Sequence, residues 1–310
     1  MSAAGLIVNA DDFGMSRGIT DGIILAHRYG FLTSASLMPN MPAAEYAIQR
    51  AARFPRLGIG VHLNLCAGRP ILPADKVPSL VGADGYFHSP RVMIRRLYTG
   101  SARGNEIFAE FRAQIHWMKD LGVTPTHADS HHHMNLYPAA VLPFIRALKA
   151  EGISCARAPR CAIWPPPTNS SLADRLGGPH EGALLRRVFI RACRAALQVC
   201  VFRAFRMPDS RVSFRSRDRH NLDALGEQWK AALMNPPPGA FELSCHPGLF
   251  ERGFSETDAI HVQRERELEW LTSSEFRDAT ERSGIQLITY RDLVASQTAQ
   301  PASRQEPALP

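Results

Sequence analysis

The chain has 310 residues, 45% hydrophobic and 21% charged, proportions that exclude an intrinsically disordered chain and a coiled coil. Lys and Arg number 36 against 29 Asp and Glu, and the resulting net charge of +7 permits an acidic partner or an anionic membrane surface without requiring either. A chain of this size buries roughly three quarters of its unfolded surface, so it needs neither disulfide nor metal merely to fold.

In chain order, Leu6 to Ala10 predicts a buried strand and Ser16 to Tyr29 a helix stopped by Gly30. Leu57 to Leu65 predicts a second strand, Asn105 to Leu121 a helix ended by Gly122, and Pro125 to Ser130 a short strand running into histidines. Pro138 to Ala150 has helical spacing with Gly152 behind it, Ile153 to Ala158 and Ala240 to Cys245 predict strands, Gln263 to Arg282 one helix, and Ile285 to Tyr290 a last strand. Strands alternating with helices indicate an α/β fold built on a largely parallel sheet, open or closed into a barrel. The six cysteines include no C-x-x-C pair and read as reduced thiols of a cytoplasmic protein. Neither a signal peptide nor an apolar run of the ~18 residues that span a membrane is expected.

Two regions break the rhythm. Residues 159–182 are rich in Pro and Gly and read as a long loop. Behind them, 183–206 (ALLRRVFIRACRAALQVCVFRAFR) carries arginines and no acidic residue, with Arg186, Arg187, Arg191 and Arg194 within ~140° of one another on a helical wheel. Such a helix either lies in a membrane interface or covers the barrel with its arginines in water. Together these segments predict an insertion at about 159–215 in one domain spanning 1–295, with 296–310 a disordered tail.

Four motifs carry chemistry. NADDFG (9–14) places Asp11 and Asp12 at the end of the first strand, where parallel α/β folds bind ligands. Paired carboxylates suit a division of labour between holding a cation and taking a proton, although Asp-Asp also serves as a cap or turn. VHLN puts His62 at the end of the second predicted strand. THADSHHH (126–133) gathers His127, Asp129, His131, His132 and His133, and alternation places His127, Asp129, His131 and His133 on one side if the strand stays extended. Neutral imidazoles suit Zn²⁺, Fe²⁺, Mn²⁺ or Co²⁺, and a neighbouring Asp can orient a liganding imidazole. SCHPG (244–248) follows an apolar strand and offers His246 as a general acid.

Together, IVNADDFG (7–14), GVHLNL (60–65), PTHADSHHH (125–133) and SCHPG (244–248), with FLTSASLM (31–38) and YRDL (290–293), resemble the YdjC-like carbohydrate deacetylase family, which includes chitooligosaccharide deacetylase. The resemblance runs in order from about residue 5 to 294. It implies a distorted (β/α) TIM-like barrel and one divalent metal, Zn²⁺ or Mg²⁺ first, with Mn²⁺ or Co²⁺ as alternatives. It also implies Asp12, His62 and His131 as metal ligands and Asp11 as catalytic base. His246 is the acid by position. His127, Asp129, His132 and His133 become supporting or substrate-side residues, and Arg157 a holder of a carboxylate or a substrate oxygen. Asn135 stands where the chitooligosaccharide enzymes carry a further histidine, and the arginine-rich segment and residues 72–87 look more like a hopanoid-biosynthesis branch acting on a glycolipid.

The expected reaction is removal of the N-acetyl group from an N-acetylglucosamine-containing saccharide or glycolipid, releasing acetate. The alternatives are another metal-dependent barrel enzyme, an isomerase or phosphoesterase, or a non-catalytic membrane-surface binder built on 183–206. The chain has no G-x-x-x-x-G-K-[ST] phosphate loop and no nucleic-acid recognition module. A cytoplasmic location with peripheral contact to the inner membrane through 183–206 is compatible with this reading, and a homodimer is left open.

Overall fold

The computed structural model describes residues 4–159, 162–163, 204–213 and 222–298. Along them run β1 (Gly5–Phe13), α1 (Arg17–Tyr29), β2 (Ser34–Leu37), α2 (Ala44–Ala51), β3 (Gly58–Leu63), α3 (Pro90–Thr99), α4 (Gly104–Asp120), β4 (Ala128–Ser130), α5 (Pro138–Ala150), β5 (Ala162–Ile163), β6 (Ser210–Ser213), α6 (Leu222–Met234), β7 (Ala240–Cys245), α7 (His261–Thr272), α8 (Ser274–Arg282), β8 (Gln286–Leu287) and α9 (Tyr290–Thr298). These strands form one sheet in the order β4-β3-β2-β1-β7-β6-β5, and β8 pairs the first residues of β1. Every ladder between them is parallel.

The sheet is curled. In a flat sheet β4 and β7 would lie four strand spacings apart, roughly 19 Å. Yet Arg157, on the stretch that bridges to β4 at Ala156, places its guanidinium 2.6 Å from Asp129 of β4, 2.5 Å from Asp11 of β1 and 2.7 Å from Glu242 of β7. Single bridges carry the curl onward from Ala128 to Ala156 and from Cys155 to Arg206. The result is a distorted α/β barrel of the TIM type, with β5 and β8 only two residues long.

Strand alternation assigns the two faces. Leu6, Val8 and Ala10 of β1, Val61 of β3 and Phe241 and Leu243 of β7 join the main hydrophobic cluster with helix residues such as Ile23, Phe111 and Phe276. The alternate positions face inward. Ile7 packs with Cys155 and Tyr290 in a small separate cluster. Further along the same faces come polar side chains, Asn9, Ser36, His127, Asp129 and Glu242, all buried. Small residues make room for them: a Cβ on Gly60 would meet the His127 ring at 2.3 Å.

Helix α1 approaches the loop after β7 just as closely. A Cβ on Gly22 would lie 2.5 Å from Gly248 Cα and 2.9 Å from Leu249 N. Gly22→Val is therefore expected to destabilise the fold by about 1–3 kcal/mol through overpacking. The check is a lowered urea midpoint at unchanged slope.

Several predicted elements are corrected. Ile153 to Ala158 is not a ladder strand, because β4 offers three residues and Arg206 a single bridge. The predicted helix from Gln263 to Arg282 is two helices. Ser273 turns extended (φ −73°, ψ 150°), and its hydroxyl accepts the Phe276 N–H to cap α8. The last strand shrinks from Ile285–Tyr290 to Gln286–Leu287, and Tyr290 opens α9. β2, α2, α3 and α6 carry no sequence expectation; β2 reads SASL because its interior positions are small serines. β5 and β6 fall within the stretch expected as a loop and insertion, yet both pair into the sheet as parallel strands. Residues 183–203 of the basic segment, most of the expected insertion and the tail from 299 lie outside the described residues. Among the described residues no helix is long and apolar enough to cross a membrane.

Candidate active site

The strand ends assemble the site. β1 pairs regularly to Ala10, and its register then shifts before Phe13, with Asp12 at φ 65°. Neighbours on a regular strand face opposite ways. This left-handed step, which Asp tolerates better than most residues, turns Asp11 and Asp12 into one cavity. His62, the last residue but one of β3, stands opposite Asp129 in register. Beyond Ser130 the expected alternation stops, because the chain enters a 3-10 turn (His131–Leu136) with His132 and His133 at φ 50° and 53°. The cavity has a volume of about 450 Å³ and is lined by Asp11, Asp12, His62, His131, His132, His133 and His246, among others.

Asp12, His62 and His131 each direct one donor atom to a common region, all within 4.8 Å of one another. Asp12 Oδ1 lies 3.0 Å from His131 Nδ1 and 3.6 Å from His62 Nε2. That oxygen is buried and has no hydrogen-bond partner, so it is an orphaned acceptor that a cation would satisfy. His62 Nδ1 donates to Asp129 Oδ1 at 2.8 Å, which leaves Nε2 facing Asp12 as the nitrogen on which a cation would take the place of a proton. Burial lowers the His62 pKa, but the charges of Asp129 and Asp11 outweigh it and bring it up to about 9. The carboxylates thus draw a positive charge onto this spot. One carboxylate oxygen and two imidazoles fit a divalent ion, with room left for water or substrate.

Asp12 is fixed by its other oxygen. Arg264 of α7 donates from Nη2 to Asp12 Oδ2 at 2.8 Å and from Nε to Asp258 Oδ2 at 2.6 Å. Burial raises the Asp12 pKa, yet Arg264 and His131 hold the carboxyl well below the usual carboxylate range.

Asp11 has a different environment. Arg157 grips it with both terminal nitrogens, Nη1 to Oδ2 at 2.8 Å and Nη2 to Oδ1 at 2.5 Å. The same guanidinium holds Asp129 and Glu242, and Glu242 accepts the Tyr290 hydroxyl at 2.7 Å. Burial pushes the Asp11 pKa up, but Arg157 and His62 override it and keep the carboxyl ionised far into acid. Across the cavity, His246 Nε2 lies 3.9 Å from Asp11 Oδ2 and Nδ1 lies 4.0 Å from Glu267 Oε2. Glu267 also accepts the His246 backbone N–H and the Gln263 amide.

The remaining predicted residues divide by position. His127 is buried beneath the cavity, stacked on Tyr290 with centroids 3.8 Å apart, and burial drives its pKa down to about 3. Asp129 and Arg157 sit at the same depth. His133 approaches Arg211 Nη1 at 3.3 Å, and burial together with Arg211 lowers its pKa to about 3. Sequence reasoning missed Arg264, Glu267, Glu242 and Arg211. Arg264 and Glu267 are three apart in the run QRERELE, which reads as a solvated helix face; only their burial distinguishes them.

Residues 5–282 match the family described as YdjC-like protein. A carbohydrate deacetylase of Geobacillus stearothermophilus is 35% identical over 295 residues, covering 92% of this chain and 96% of that protein. One from Enterococcus faecalis is 30% identical over 94% of this chain and 99% of its own length. A crystal structure from Enterococcus faecalis, provisionally named a cellobiose-phosphate cleavage protein, superposes with a TM-score of 0.69 at 28% identity over 94% of this chain and 99% of that one. With the match running across the barrel and through all four motifs, this chain belongs to the YdjC-like family.

Proposed function

We propose that the protein is a metal-dependent carbohydrate deacetylase that hydrolyses the N-acetyl group of an N-acetylglucosamine-containing saccharide or glycolipid and releases acetate. The observation that carries this reading is one cavity in which Asp11 and His246 face each other beside the donor set of Asp12, His62 and His131. The names of the curated relatives support the reaction class.

In this reading Asp12, His62 and His131 hold the ion, which when bound supplies Lewis acidity toward the acetyl carbonyl and its attacking water. Asp11 takes a proton from that water at Oδ2, the oxygen turned toward His246. Its ion pair with Arg157 keeps it deprotonated and fixes its direction. His246, half-buried, delivers a proton from Nε2 to the departing amine, and Glu267 holds the backbone of that histidine in place. Asp129 orients His62. His127 and Arg157 support the carboxylates from below, and His132 and His133 line the substrate side.

The test is acetate release from diacetylchitobiose and from an N-acetylglucosaminyl lipid, each before and after chelation. Activity on at least one substrate is expected, lost with chelator and restored by Zn²⁺, Mg²⁺, Mn²⁺ or Co²⁺. Far-UV circular dichroism should stay unchanged throughout, because the core does not depend on the ion. No acetate from either substrate with any of the four ions would overturn the assignment.

A further inference from the structure

Beside the Asp12 set lies a second convergence of donors. Cys66 Sγ, one nitrogen of His131 and one of His132 are all within 4.8 Å of one another. Cys66 follows β3 in a turn that Asn64 ties together: its Oδ1 accepts the N–H groups of Cys66 at 2.9 Å and Ala67 at 3.1 Å, and its Nδ2 donates to Ala67 O. The residue that carries the thiol is thereby pinned, and it is buried. His132 is exposed and held at φ 50°, with its ring centroid 4.4 Å from that of His131.

We propose that Cys66, His131 and His132 form a second metal site, selective for thiophilic ions such as Cd²⁺ or Zn²⁺, that competes with the Asp12 set for His131. The selectivity follows from the donors: thiolate with two imidazoles suits soft and borderline ions and gives Mg²⁺ or Mn²⁺ little, whereas the Asp12 set includes a hard oxygen. Competition follows from valence. A neutral imidazole has one lone pair. His131 directs Nδ1 at Asp12 Oδ1, and when it ligates in one set it is withdrawn from the other. Binding converts the Cys66 thiol to a metal thiolate and releases its proton to solvent. The site thus acts as a trap through which an excess thiophilic ion displaces the activating one.

The experiment is a titration of Cd²⁺ into the full chain preloaded with Mn²⁺. The ultraviolet thiolate-to-cadmium absorption and the free Mn²⁺ signal in electron paramagnetic resonance are followed together. The wild-type protein is expected to develop the absorption over the first equivalent and to release Mn²⁺ in step. Cys66→Ser, of similar size and outside the proposed deacetylation machinery, should keep Mn²⁺-supported activity, lose the first-equivalent absorption and need about 10-fold more Cd²⁺ to release Mn²⁺. No thiolate absorption in the wild type, absorption without Mn²⁺ release, or the same absorption in Cys66→Ser would each overturn the proposal. Because the chain has five further cysteines, the wild-type absorption is read together with Mn²⁺ release and its loss in Cys66→Ser, and neither depends on whether the enzyme deacetylates anything.

Discussion

Asp11→Asn is expected to lower the proposed deacetylation rate by about 10²–10⁴-fold, the usual cost of removing a positioned general base. The loss should fall on kcat with little change in KM, because Asn fills the same space and still accepts from Arg157 through its oxygen. The variant keeps Arg157 paired with Asp129 and Glu242, so its urea midpoint should move far less than its rate. Steady-state acetate release at saturating metal checks this. Unchanged turnover would remove Asp11 from the proton transfer and leave it a structural anchor of Arg157.

The largest effect on stability is expected at Arg157. Three buried carboxylates, Asp11, Asp129 and Glu242, share this one guanidinium. Removing one partner of a buried ion cluster typically costs about 3–5 kcal/mol, because the remaining charges are left uncompensated. Arg157→Met should therefore lower stability by about that amount, read from the urea midpoint. Arg157→Lys should recover only part of the loss, since a single ammonium cannot reproduce the fork that meets Asp11 twice and Glu242 through Nε. The cluster also predicts an acid limit. Asp11 and Asp129 have folded pKa values below their usual ones, with burial opposing and Arg157 driving the shift. Each contributes stability above its ordinary pKa that is lost as pH falls toward the folded value, so the acid unfolding midpoint should rise in Arg157→Met.

The strands that carry aliphatic residues on the helix-facing side were legible, and so were the helices stopped by glycine. β1, β3, β7, α1, α4 and α5 emerge from the pattern with ends shifted by a few residues. β2 escaped because a barrel interior filled with a polar network removes the hydrophobic half of the alternation at Ser34 and Ser36. The break at Ser273 escaped because it contains neither Gly nor Pro and relies on a serine cap. At the site, the acidic pair and the histidines stand out by residue type, and the structure brings Asp11, Asp12, His62, His131 and His246 to one cavity. What composition does not mark is direction. The left-handed turns at Asp12, His132 and His133 decide which way these side chains face. The charges beside them, Arg264 on Asp12 and Arg211 on His133, come from runs with nothing unusual in them.

The sheet order also sets when the pocket can mature. β1 has β2 on one edge and β7 on the other, so on the ribosome the strand bearing both aspartates keeps an open edge until residue 245 has been made. Asp12 gains its guanidinium partner later still, when α7 delivers Arg264. Asp12, His62 and His131 are all synthesised in the first half of the chain, but Arg264, which fixes Asp12, arrives in its last quarter. A nascent or C-terminally truncated chain therefore holds Asp12, His62 and His131 without the Arg264 contact that fixes Asp12, and capture of the proposed ion is expected to follow completion of the barrel rather than guide it.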